Sequence, residues 1–301
     1  MDKIAVLMST YNGEKYLREQ IDSILAQKGN FELNLIIRDD GSKDGTVTIL
    51  KEYEESGKIE WYQGANCGPA ISFMELLHKA EGYDYYAFAD QDDYWLDCKI
   101  RRAVSRMKND KPQLYFGNGL LVDEKLESLG SNVYKKRPVT DFNTVLCAGG
   151  LLGCTMVFNK KLADIVRAKE LPKSIVMHDF YVALICGGVG GEIIYDHKPY
   201  IKYRQHGGNV VGVSHGITGK IKDRIASIRK RPAVSIESQA HDLLKRYSDV
   251  ILNDNKEFLS KVAGYRRTLL SRVALACSLK TRYVNMNKSI TLRLAILLGN
   301  R

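Results

Sequence analysis

The sequence predicts an α/β protein with a mostly parallel central sheet, helices on both of its faces, and a helical basic extension at the carboxyl end. Three features carry that expectation. Short apolar runs alternate with helix-period segments through the first half of the chain. The links between them are short, so successive strands run parallel and the helices cross over the sheet. From about residue 216 the pattern turns helical and the charge balance changes sign.

Ile4–Ser9 is an apolar run with a polar stop, hence a first strand. Glu14–Gln27 places Leu17, Ile21, Ile24 and Leu25 on one helical face. Leu33–Arg38 reads as a second strand. Asp39-Asp40-Gly41-Ser42 is a turn, after which Ser42 or Asp44 is placed to cap a helix running to about Glu55. Ile59–Tyr62 is a third strand, Pro69–Ala80 a helix with proline in its first turn, and Tyr85–Ala89 a fourth strand. Farther on, Gln113–Val122 reads as a strand, Ala148–Phe158 as a Gly-rich buried turn and strand, and Asn159–Ala168 and His178–Gly187 as helices. Glu192–Tyr195 and Tyr200–Arg204 read as two strands. Ser235–Leu252 and Asn255–Leu279 suggest a helical hairpin, followed by the apolar segment Ile290–Leu298. The expected division is an α/β body over 1–215 and a helical basic extension over 216–301.

With 301 residues, 45% hydrophobic and 27% charged, the chain has the composition of a folded domain and not of a disordered or collagen-like one. No apolar run approaches the roughly 18 residues of a membrane span, and the short apolar stretch at the start reads as a strand and not as a secretory leader. The six cysteines are scattered without a CxxC pair, which argues against a zinc knuckle and fits a reducing cytoplasm. The net charge of +10 is uneven. Residues 216–301 hold 18 Lys and Arg against 6 Asp and Glu, while residues 1–215 hold 27 against 29. Such asymmetry points to an anionic partner: nucleic acid, an acidic polymer or the anionic face of a membrane.

Loops at the carboxyl ends of parallel strands form the ligand crevice of such folds. Here those ends are Thr10-Tyr11-Asn12, Asp39-Asp40, Asn66-Cys67-Gly68 and Asp90-Gln91-Asp92-Asp93. Four polar ends along one sheet edge argue for a single site. Three carboxylates within four residues repel each other and call for a cation or for water. Oxygen ligands without neighbouring His or Cys favour Mg²⁺ or Mn²⁺, and a site with so few protein ligands leaves positions for phosphate oxygens. The competing reading is a solvated acidic turn at the start of the next helix. An EF-hand is excluded by the missing Gly and distal Glu.

Three motifs in this order and spacing, Met8-Ser9-Thr10-Tyr11-Asn12-Gly13, Arg38-Asp39-Asp40-Gly41-Ser42-Lys43-Asp44-Gly45-Thr46 and Asp90-Gln91-Asp92-Asp93-Tyr94-Trp95, resemble glycosyltransferase family 2, of the GT-A fold. Gly153-Cys154-Thr155-Met156-Val157-Phe158-Asn159 and Tyr203-Arg204-Gln205-His206-Gly207 resemble its bacterial rhamnosyltransferase branch, although Gly208-Asn209 stands where the branch shows Asn-Asn. The likeness covers roughly residues 1–215.

The resemblance implies an inverting, metal-dependent transfer of a sugar from a nucleoside diphosphate, best dTDP-rhamnose with UDP-galactose or UDP-glucose as alternatives, onto a growing, lipid-linked cell-surface polysaccharide. It implies Mn²⁺ or Mg²⁺ on Asp92, with His206 approaching the metal or diphosphate and Arg204 offsetting phosphate charge. Asp90 would contact the donor ribose and Asp39 the pyrimidine N3–H. Thr10 and Tyr11 would line the base and ribose pocket and Asn66 would add a nucleoside contact, with Asn12 and Gln91 counted in the same nucleotide-sugar site. Asp179, at a helix start, would be the general base. Asp40 and Asp44 are expected to shape the turn and cap the helix instead. A catalytically silent nucleotide-sugar or carbohydrate-binding protein on the same fold stays open. A nucleotidyltransferase would carry a Gly-rich basic loop after the first strand, which Thr10–Gly13 is not.

The basic extension has no recognised nucleic-acid motif. The favoured reading is peripheral membrane contact at the inner face of a bacterial membrane, with Lys and Arg toward anionic lipid and Leu292, Leu294, Ile296, Leu297 and Leu298 inserting part-way. A solvated helical face and a homo-oligomer contact are the alternatives.

Overall fold

The computed structural model describes residues 1–207, 232–278, 280–281 and 286–300. The Gly208-Asn209 pair and the first part of the basic extension lie outside the described residues. Among the described residues a nine-stranded sheet forms the centre, in the order β3-β2-β1-β4-β8-β6-β9-β5 with β7 paired on β6. Its strands are β1 (Asp2–Thr10), β2 (Phe31–Asp39), β3 (Glu60–Gln63), β4 (Tyr85–Ala89), β5 (Tyr94–Trp95), β6 (Gln113–Val122), β7 (Ser128–Asn132), β8 (Val157–Asn159) and β9 (Glu192–Arg204). β1 to β4 are mutually parallel, whereas β8 runs antiparallel between β4 and β6. This is the mixed, mostly parallel α/β architecture that the alternation of segments predicts.

The central strands read as continuous apolar runs because both of their faces are covered. In β1, Ala5 and Leu7 pack into one core layer while Ile4, Val6 and Met8 pack into the other. β4 divides the same way, with Tyr86 and Phe88 on one face and Tyr85, Ala87 and Ala89 on the other. Helices α1 (Leu17–Leu25), α2 (Thr46–Glu55) and α4 (Lys99–Val104) cover the second layer. The first is covered by α3 (Pro69–Lys79), α5 (Phe142–Ala148), α6 (Lys160–Arg167) and α7 (His178–Gly188). Nearly all of α7 is buried, as expected of a helix apolar on every side.

The helices beyond residue 235 are α8 (Ile236–Tyr247), α9 (Asn253–Ala263), α10 (Leu269–Cys277) and α11 (Met286–Leu297). The expected two-helix hairpin is broken at Gly264, so three helices span 236–277. Ile236, Ala240, Leu243, Phe258, Leu259 and Val262 join the first core layer of the body. Three of the five apolar positions expected to face lipid are corrected: Leu292 and Ile296 are buried in that same core, and Leu297 packs against it. Leu294 and Leu298 do face outward. No helix among the described residues is long and apolar enough to cross a membrane.

Candidate active site

β1, β2 and β4 are neighbours running in one direction, so their polar carboxyl ends meet at one rim, with Thr10 opposite Asp39 in register. The rim borders a cavity of about 1080 Å³. Tyr11, Asn66, Asp90, Gln91 and Asp92 line it from the strand ends, and Asp179 lines it from the first turn of α7. The rest of the wall is mainly apolar, including Leu152, Met177, Phe180, Tyr203 and Ile236.

Gln91 joins the first and fourth loops. Its Oε1 accepts from the Thr10 hydroxyl (2.6 Å) and from the Tyr11 N–H (2.8 Å). Asn12 adopts a left-handed backbone, and its Oδ1 accepts from the Lys43 N–H (2.9 Å), so it ties the first loop to the second and does not line the cavity. Asp39 is fully buried and also lies off the cavity wall. It accepts from Ser42 N–H (3.1 Å), Ser42 hydroxyl (2.5 Å) and the Gln63 amide (2.8 Å). The N-cap of α2 is Gly45, with no side-chain cap, and Asp44 stands one residue before it, accepting from the Thr46 N–H (3.1 Å) and hydroxyl (2.6 Å) and so shaping the turn. Asp40 departs from the expected turn role. It lines the cavity, pairs with the buried Arg38 guanidinium, and accepts from the Cys67 and Gly68 N–H groups (3.0 and 2.9 Å) just before α3.

The acidic loop is held from below. Asp93 is buried, and its Oδ1 accepts from the Arg204 N–H (3.2 Å), while its Oδ2 has no hydrogen-bond partner. Asp90, Asp93 and the Cys154 thiol bring ligand atoms within 4.8 Å of one another. Burial, then the charges of Asp92 and Asp179, push the Asp90 carboxyl up to about 7. Burial also raises Asp93 well above the usual carboxylate range and Cys154 well above the usual thiol range. The carboxylates of this cluster supply hard oxygen ligands. Beneath it lies Lys99, fully buried, its Nζ without a hydrogen-bond partner and 3.3 Å from the Trp95 ring centroid. Burial lowers that amine to about 7.

Two expected ligands distant in sequence meet here: His206 Nε2 lies 2.8 Å from Asp92 Oδ2. The His206 ring also stands 5.0 Å from the Tyr16 ring. One carboxylate and one imidazole, beside an unpartnered buried carboxylate oxygen, fit a divalent cation of the Mn²⁺ or Mg²⁺ type with room for further oxygen ligands. Arg204 is placed differently from the expected phosphate contact. Its Nε donates to the Asp92 carbonyl (2.8 Å), its Nη1 to the Glu124 carbonyl and its Nη2 to Glu19 Oε2 (2.5 Å), and it does not line the cavity. The side chain follows β9 inward and braces the backbone of the acidic loop.

Asp179 faces the acidic loop across the cavity. Its Oδ1 accepts from the Phe180 N–H (2.6 Å), and Gly153 packs against the same carboxylate. A Cβ at Gly153 would lie 2.6 Å from Asp179 Oδ2 and 2.8 Å from its Cβ, so only glycine lets the carboxylate sit there. Burial raises Asp179 to about 6, against the Phe180 and Gly153 hydrogen bonds that lower it. Its neighbour His178 is buried between Phe73 and Phe88, and burial lowers it to about 3, so it is neutral. Sequence reasoning missed Arg38, Lys99 and the apolar wall. A charged residue late in a buried strand was the available signal for Arg38; Lys99 had none.

Residues 5–159 match the family model "Glycosyl transferase family 2". The chain is 30% identical to the dTDP-rhamnosyl transferase RfbG of Shigella flexneri over 235 residues, covering 74% of this chain and 80% of that protein. Among solved structures it resembles S. aureus TarS 1-349 in complex with UDP-GlcNAc (TM-score 0.57, 18% identity, 92% of this chain and 77% of that one). It also resembles the mannosyltransferase PcManGT of Pyrobaculum calidifontis in complex with GDP-Man and Mn²⁺ (TM-score 0.52, 16% identity, 99% and 74%). At these identities the two structures bear on the fold alone.

Proposed function

Because the chain belongs to glycosyl transferase family 2, we propose that it moves a sugar from a nucleoside diphosphate to an acceptor hydroxyl with inversion, using Asp179 as general base. The observation that carries this reading is the placing of Asp179 in the same cavity wall as Asp90 and Asp92, from a different layer of the fold. One carboxylate set apart from the acidic loop suits an in-line displacement, in which it takes the proton of the attacking hydroxyl. Its pKa of about 6 leaves it ionised at neutral pH while close enough to that pH to exchange a proton readily.

In this reading Asp92 and His206 would hold a divalent cation. When bound, such an ion offsets the negative charge of the departing diphosphate. The chain's own residues do the remainder. Tyr11, Asn66 and Asp90 contact the nucleoside and ribose, with Thr10 and Gln91 fixing the loop that presents Tyr11. Arg204 positions Asp92 through its backbone. The apolar wall around Phe180 and Ile236 receives the acceptor and excludes water from the reacting carbon.

We assign the donor to dTDP-rhamnose on the strength of the relative that shares 30% identity across most of both chains; a growing, lipid-linked cell-surface glycan is the acceptor that the family resemblance implies. Calorimetry with dTDP-rhamnose, UDP-galactose and UDP-glucose, each with Mn²⁺, tests the donor: tightest binding of dTDP-rhamnose is expected, and preference for a UDP-hexose would overturn it. Asp179→Asn tests the mechanism. Transfer falls by about 10²–10⁴-fold with donor affinity retained; near-normal transfer would place the base elsewhere.

A further inference from the structure

The carboxyl-terminal helices carry an apolar outer face. Every exposed residue of α10 is apolar: Leu269, Leu270, Val273, Ala274 and Cys277. On α11 the exposed positions among the described side chains are Ile290 and Leu294, and Leu298 continues the line just past its end. Their spacing of four puts them on one stripe. Leu269 and Leu270 are 70% and 79% exposed, so this is an outward surface and not a loosely closed core. The inward sides of the same two helices are satisfied, with Leu275, Ala276, Leu292, Ala295 and Ile296 buried, and the helices pack on each other.

The charge around this face identifies its occupant. Residues 258–301 contain nine Lys and Arg and not one Asp or Glu. Arg267 and Lys280 are exposed beside the apolar stripes, while Arg272 and Arg293 are partly exposed on the helices themselves. Lys261 and Arg266 are paired with Glu257 and Glu237, but a second copy meeting this face would still bring Arg267, Lys280, Arg272 and Arg293 against their own kind. An anionic surface that also accepts aliphatic side chains is complementary on both counts. Helices of nine and twelve residues reach about 14 and 18 Å, well short of the roughly 30 Å hydrocarbon layer, so they fit the plane of the interface and not a span.

We propose that α10 and α11 form a membrane-docking face, which lays its leucines into the headgroup boundary of an anionic bilayer and its arginines and lysines against lipid phosphates. The orientation follows from Leu269, Leu270, Leu294 and Leu298, with Leu292 and Ile296 anchoring the pair to the body. Each partly inserted leucine adds apolar burial, and each basic residue adds an attraction that salt weakens.

Flotation of the full chain with vesicles tests this independently of catalysis. Binding is expected to vesicles of phosphatidylcholine with about a third phosphatidylglycerol, to be weak with phosphatidylcholine alone, and to fall as salt rises. Leu270→Ser with Leu294→Ser, both at exposed positions, leaves the melting temperature unchanged and weakens vesicle binding at least about tenfold, as does Arg267→Glu with Lys280→Glu. Absence of flotation with the anionic vesicles, or equal flotation of both double variants, would overturn the proposal. So would sedimentation equilibrium showing a dimer that the leucine variant dissociates while vesicle binding persists, because the face would then join two copies.

Discussion

The acid limb of the turnover profile tests the assignment of Asp179 most directly. Burial lifts its carboxyl to about 6, from an ordinary value near 3.8. A base must be ionised to accept a proton, so turnover should be flat above pH 7 and fall through pH 6. One unit below the pKa about a tenth of the molecules hold the ionised form, so the rate at pH 5 should be about tenfold below the plateau. The same shift acts on stability with a definite sign. A carboxyl whose folded pKa is raised contributes stability that is fully present below about pH 4 and is lost as pH rises through about 6. At this residue acid favours the fold, so the loss of rate is not the unfolding of the site. The assay is release of nucleoside diphosphate at saturating donor and acceptor, with circular dichroism at each pH. A rate that stays flat between pH 5 and 7 with the fold intact would refute the reasoning. So would an unchanged acid limb in Asp179→Asn.

Three further substitutions probe how the site is held. Arg204→Met leaves two backbone carbonyls and Glu19 without their donor, so it should cost about 3 kcal/mol of stability in a denaturant titration; a change confined to donor affinity would restore Arg204 to a phosphate contact. Gly153→Ala drives a methyl into the Asp179 carboxylate, so turnover should fall at least about tenfold for a stability loss of about 1–3 kcal/mol, and full activity would show that Asp179 is free to move aside. Phe88→Ala opens a void against Phe73, Phe158 and His178 beneath the cavity and should cost about 3–5 kcal/mol by thermal or denaturant melting.

The first four strands were legible to within a residue or two: β1 and β4 because they are apolar and covered on both faces, β2 because its second half is buried, and the exposed edge strand β3 because Ile59, Trp61 and Tyr62 follow a turn-rich stretch. β9 was not legible as one strand. Pro199 and the buried Asp196 interrupt its apolar pattern, and the structure takes them up as register irregularities against β6, with Asp196 paired to Arg102 (2.7 Å). The two-residue β5, the exposed β7 and the short α4 carry too little periodicity to detect. At the site, the residues at strand ends could be listed from sequence, but their orientation could not. Asp39 and Asp40 are adjacent, and the pleat sends one into the protein and the other to the cavity wall. Arg204 and His206 lie two apart at the end of β9, yet one braces the acidic loop from within and the other reaches Asp92. The meeting of Asp92 with His206 depends on β5 pairing with β9, a contact between distant segments that no local pattern encodes.

The acidic rim is also a stability argument. Asp90 and Asp179 line one cavity, Asp93 is buried beneath it with an unpartnered oxygen, and burial makes the charge of each costly. A fold selected for stability alone would replace such a cluster with apolar residues, so its presence marks a site where function opposes stability. On the proposed reading, a cation held by Asp92 and His206 offsets that repulsion only when the chain is folded. Mn²⁺ at a hundred times its Kd should then add about 2.7 kcal/mol to the unfolding free energy at pH 7.5, seen as a rise in melting temperature that saturates with concentration. Asp92→Asn should abolish the rise, and His206→Gln should weaken Mn²⁺ at least about tenfold by calorimetry. A melting temperature that climbs equally in Asp92→Asn would mean that the ion binds elsewhere, and the carboxylates would then need another partner to account for them.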